Sequence, residues 1–254
     1  MLWRSAVTTA SVPIVPEVRS GGLVLVAGIV LILLTSLFYP GGVLIDTVDS
    51  LEFSALIAVM SDNASLTHAA TLGTMFALLL QSYGLLALFR LTTLQGLGNA
   101  SLRFGIIASV IGWVLLMVEA GTRHMVVHIT QHGIGTGTGP DVQPELNDLA
   151  LAVFSTGTAI HFSFIAISSV AAIMLGAGLA ARSRGMNVFS VAAYGMVLVG
   201  VAGLFNLVIL QHVHDIDLAV FALISNSVLT IGAVCFIIFG VGMYRGSSEF
   251  APQN

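Results

Sequence analysis

The sequence predicts an all-α integral membrane protein with six transmembrane helices, on three observations. Of its 254 residues, 57% are hydrophobic and only 8% are charged. The apolar residues gather in six runs, near 21–39, 67–90, 103–127, 148–181, 187–213 and 217–244. Each run is long enough to cross a hydrocarbon core of roughly 30 Å at about 1.5 Å per residue. Arginines cluster on one side of these runs and most acids on the other. Inside lipid a chain must pair its own backbone groups, so runs of this length are helices. A barrel would need short alternating strands, which the runs do not show.

Residues 1–20 form a tail with Arg4 and Arg19 ahead of the first apolar run. A cleaved signal peptide starts this way, but the run is long and no small-x-small cleavage pattern follows. The first span is therefore expected to stay. Residues 40–66 open on the turn Pro40-Gly41-Gly42, and Val48–Met60 then has apolar residues at helical spacing beside Asp49 and Glu52. That segment is expected to lie on the membrane surface as an amphipathic helix. Thr67 and His68 open the second span. Between the third and fourth spans, residues 133–147 begin with Gly133-Ile134-Gly135-Thr136-Gly137-Thr138-Gly139-Pro140. This is a flexible loop that lacks the lysine and the preceding strand of a phosphate-binding loop. Asp148 is the expected N-cap of the fourth span. The region 21–245 reads as one six-helix bundle, with residues 246–254 as a second tail.

Seven of the eight basic residues fall on one side: Arg4, Arg19, Arg90, Arg103, Arg182, Arg184 and Arg245. Asp46, Asp49, Glu52, Asp62, Asp141, Glu145, Asp148, Asp215 and Asp217 all fall on the other. The positive-inside rule then places both termini in the cytoplasm of a multi-pass protein of the cell membrane. Every histidine lies toward the opposite, extracytoplasmic pole. Arg123 is the one arginine at that pole, with Glu119 one helical turn before it. Two readings stand for it: a favourable i,i+4 pair, or an anion contact such as a haem propionate or quinone head group.

Composition narrows the chemistry. There is no lysine, which removes Schiff-base cofactors such as retinal. The single cysteine, Cys235, excludes an intrachain disulfide and cysteine-held clusters. A net charge of −4 points away from nucleic acid. The cytoplasmic loops are too short for a catalytic domain, so an electron-transfer or anchor subunit is expected rather than a stand-alone enzyme.

Spans two–three and four–five look like two copies of one hairpin, which would make a four-helix core with the first and last spans packed outside. Ala58-Val59-Met60-Ser61 opens the first copy and Ala152-Val153-Phe154-Ser155 the second. A histidine follows each, His68 and His161, and each copy ends in histidines. Such short matches also arise by chance in apolar chains.

His124, His128 and His132 form a stripe about 80° wide on one helix face. The bland reading is a polar helix end leaving the membrane, and His132 fits it. His161 lies deep in an apolar stretch and should face the interior and hold a partner. Three readings stand: a neutral histidine hydrogen-bonded to a backbone carbonyl or hydroxyl, a cofactor ligand, or a proton relay. His212 and His214 lie about 200° apart, so one of them, His212, can face the core.

These positions suggest a membrane cytochrome-b-like subunit holding haem b through pairs drawn from His68, His124 or His128, His161 and His212, with Arg123 at the rim. It would exchange electrons with extracytoplasmic redox subunits, the quinone pool or a larger complex. A second reading is a copper or zinc site held by His68, His128, His161 and His212. A third is a structural or transport subunit with no cofactor, with Gln81, Asn206 and Asn226 as polar groups within the spans.

Overall fold

A computed structural model describes residues 17–49, 52–92, 96–132, 141–183, 185–213 and 218–251. His214, Asp215, Asp217, Arg4, Arg184 and loop residues 133–140 lie outside the described residues. Among the described residues seven α-helices follow one another: α1 Val18–Leu37, α2 Phe53–Asp62, α3 Ala64–Leu86, α4 Leu97–His132, α5 Gln143–Ala180, α6 Val188–His212 and α7 Leu218–Arg245. All but α2 are long and apolar enough to cross a membrane, which makes six. A 3-10 turn, Ala87–Leu91, continues α3. Large apolar side chains point outward along the bundle, such as Phe76 at 61% exposed and Leu198 at 69%. A water-soluble chain does not present so much apolar surface. Lipid is the solvent that suits it.

Helices that are neighbours in the chain are neighbours in space. The series α3–α4–α5–α6 is flanked by α1 on α3 and α7 on α6, and α1 also packs on α7. Small residues permit these approaches. A Cβ on Gly22 would stand 2.5 Å from the carbonyl oxygen of Gly240, so no side chain fits between α1 and α7 there. Close backbone contact of this kind is the usual basis of helix association where lipid removes the hydrophobic drive.

The α4–α5 hairpin is the longest contact. Its facing positions step by seven residues: Gly105 on Leu175, Gly112 on Ser168, then Glu119 on His161. A heptad step is the register of antiparallel helices packed at a shallow angle. Glu119 thus falls on the seam between the helices, where glycine stands at the two preceding steps.

At the arginine end the loops are tied together. Arg182 is buried and donates to the backbone carbonyls of Leu91, Glu249 and Ala251. Burial pushes its pKa down from the ordinary value, and the three carbonyls accept its protons. Asn187 caps α6 by accepting from the backbone N–H groups of Phe189 and Ser190, and its amide donates to Glu249.

At the opposite end α2, the last turns of α4 and the start of α5 share a small apolar core of Leu56, Ile57, Met60, Val126, Val127, Ile129, Leu146, Ala150 and Phe154. Met60 and Phe154, which match in the two proposed hairpin copies, both lie in it. A helix is present in the segment expected at the surface, but it starts at Phe53 and runs to Asp62. Gly41 holds the preceding turn at φ +80, and a Cβ there would strike Leu56 at 2.2 Å. Asp148 is not the cap of α5. The helix begins a turn earlier, with Pro144 in its first turn, where the fixed φ of proline is already helical and its missing N–H costs nothing.

Candidate metal centre and a buried ion network

Two polar clusters sit on opposite faces of α4 near the histidine end. The first forms between α3 and α4. His68, in the second turn of α3, reaches His124 with Nδ1 to Nδ1 at 2.7 Å, and His124 reaches His128 with Nε2 to Nε2 at 3.2 Å. A neutral imidazole has one N–H and one lone pair. His124 therefore donates to one neighbour and accepts from the other. His68 and His124 are half-buried and His128 is exposed. His132 continues the stripe, its ring 5.7 Å from that of His128.

The backbone brings α3 to this position through the break at Asn63. Ser61 and Thr130 share a hydrogen bond at 2.7 Å, and the Gln131 amide donates to the Ser61 carbonyl. Thr67 donates to the Met60 carbonyl. These contacts clamp the α2–α3 corner onto the last turns of α4 and set His68 beside His124.

One ring nitrogen from each of His68, His124 and His128 lies within 4.8 Å of the other two, and among the described residues this is the one such group of potential metal ligands. A tetrahedral ion with nitrogens at roughly 2.0–2.1 Å would hold them roughly 3.4 Å apart. Small side-chain rotations supply that difference, since no ring is fully packed in. A porphyrin makes a different demand, because its plane must pass between two facing imidazoles. Here the ring centroids of His68 are 4.0 Å from His124 and 5.0 Å from His128, so the rings touch one another.

The second cluster lies between α4 and α5. Glu119 is buried, its side chain 4% exposed. One carboxylate oxygen accepts from Arg123, and the other pairs with His161 Nδ1 at 2.8 Å. The Arg123 guanidinium lies 5.1 Å over the ring of Tyr39, whose hydroxyl donates to Met60 Sδ. Arg123 is thus engaged within the protein. A Cβ on Gly157 would stand 2.3 Å from Thr122 Oγ1, so glycine there lets the two helices close around the carboxylate.

The expected site residues therefore divide. His68, His124 and His128 come together. His161 has an interior partner, the carboxylate of Glu119 rather than a carbonyl or hydroxyl. His212 is exposed at the end of α6 and pairs with the Val208 carbonyl of its own helix. Residue spacing along α4 does not by itself name His161 of α5 as the partner of Glu119. No family of known proteins, no curated protein and no solved structure matches this chain.

Proposed function

We propose that this multi-pass membrane protein binds a transition-metal ion, zinc or copper, through His68, His124 and His128 at the extracytoplasmic surface. The observation that supports it is the convergence of three imidazoles from two helices. Neutral imidazole suits both ions, and three nitrogens leave a position open for water or an exchangeable ligand. The orientation rests on the arginines, which mark the opposite pole as cytoplasmic. With copper, the site would take up the electron-transfer role that the histidine pattern suggests. With zinc it would bind or pass on the ion. The contact between the rings favours an ion over haem.

The test uses the full chain in lipid nanodiscs, stripped with a chelator and titrated with Zn²⁺ and Cu⁺. One ion per chain is expected. Each of His68→Ala, His124→Ala and His128→Ala should weaken binding at least roughly tenfold, while His212→Ala leaves it unchanged. Wild-type binding no tighter than that of the triple variant would refute the site. A haem absorption band in the purified protein would direct the assignment back to the cytochrome reading.

A further inference from the structure

His161 has a second nitrogen, and that nitrogen has no use in the network just described. Glu119 pairs with Arg123 through one oxygen and with His161 Nδ1 through the other. A carboxylate beside a guanidinium is an acceptor, so the proton of the neutral imidazole sits on Nδ1. This fixes the tautomer and leaves a lone pair on Nε2. Among the described residues no group donates to Nε2. The side chain of His161 is 30% exposed, so this edge of the ring opens outward from the bundle.

Depth narrows what can meet it. Counting from Arg182, which marks the arginine end, His161 lies roughly 31 Å along α5 at about 1.5 Å per residue. The hydrocarbon core is roughly 30 Å thick. The open nitrogen therefore stands near the level where acyl chains give way to head groups. Small molecules dissolved in the bilayer place their polar ends there. The partner that Nε2 lacks is a donor, and the charge on Glu119, carried through the imidazole, makes Nε2 a stronger acceptor.

We propose that Glu119 and His161 form a second binding site, separate from the histidine triad, for an apolar membrane-dissolved molecule bearing a hydroxyl group. The hydroxyl donates to His161 Nε2. Glu119 is the positioning residue that fixes the imidazole tautomer. The hydroxyl has two chemical sources, phenolic as in a quinol or aliphatic as in a sterol, and the experiment separates them.

The full chain, labelled with ¹⁵N-histidine in phosphatidylcholine nanodiscs, is titrated with ubiquinol-1, cholesterol and ubiquinone-1. The His161 signals are identified by their loss in His161→Phe. The Nε2 resonance should shift and saturate with ubiquinol-1 for a phenolic ligand, or with cholesterol for an aliphatic one. Ubiquinone-1 offers no hydroxyl and should bind at least roughly tenfold more weakly than the active alcohol. Glu119→Gln should weaken the alcohol by a similar factor. No shift with either alcohol overturns the proposal, and so does a quinone that binds as well as the quinol. Should His161→Phe fail to fold, His161→Gln supplies the assignment, and the wild-type titration still decides the matter. It involves no metal ion, so it stands or falls apart from the triad.

Discussion

At Glu119 one carboxylate meets two basic side chains inside a membrane helix, and removing it takes the shared carboxylate from both. Glu119→Ala is expected to destabilise the protein by about 1–3 kcal/mol, below the range for a fully buried pair because Arg123 is one-third exposed. Removing Arg123 as well should cost less than the sum of the two single changes, since the orphaned guanidinium is gone too. Unfolding in mixed micelles measures all three variants, and strict additivity would contradict the pairing. Ser168 makes the opposite case. Its hydroxyl oxygen is buried and has no hydrogen-bond partner among the described residues, one heptad step below His161 on the α4–α5 seam. Ser168→Ala removes an unsatisfied group and should be neutral or stabilising by up to about 1 kcal/mol. A loss of stability there would mean that the hydroxyl has a partner.

The elements differ in how far each was legible. Length and hydropathy are local properties, so the six spans could be read directly. Their ends were less certain, because α4 runs on through His128 to His132 as a polar helix beyond the apolar run. Pairing between helices is not local. The His68–His124 contact depends on the Asn63 corner, which the apolar pattern of either helix does not reveal. The Glu119–His161 pair did leave a trace: Gly98, Gly105, Gly112 and Glu119 repeat every seven residues along one face of α4. Small residues at heptad spacing indicate a close helix contact, and following that face would have placed Glu119 in the seam. Glycines of α4 on and off this seam contrast sharply in mutational effect. A side chain on Gly105 meets the Leu175 backbone nitrogen at 2.5 Å, whereas on Gly121 it meets only the Met75 methyl at 3.6 Å. Gly105→Val should therefore destabilise by about 1–3 kcal/mol, and Gly121→Ala should change little. Equal effects in the same unfolding assay would argue against the close α4–α5 approach.

For the whole molecule, function turns on which pole faces outward and on whether the histidine pole holds an ion. In a Cys235→Ala background, a cysteine in place of Asp141 should react with a membrane-impermeant maleimide on intact cells. One in place of Leu97, 89% exposed at the other pole, should react only after lysis. The reverse pattern would turn the triad toward the cytoplasm. X-ray absorption at the metal edge of the zinc- or copper-loaded chain reads metal binding by His68, His124 and His128. The expected spectrum has imidazole nitrogens at roughly 2.0–2.1 Å, numbering three in the wild type and fewer in His68→Ala. A wild-type chain that retains no metal, or one whose metal spectrum is the same in the His68→Ala/His124→Ala/His128→Ala variant, would contradict it.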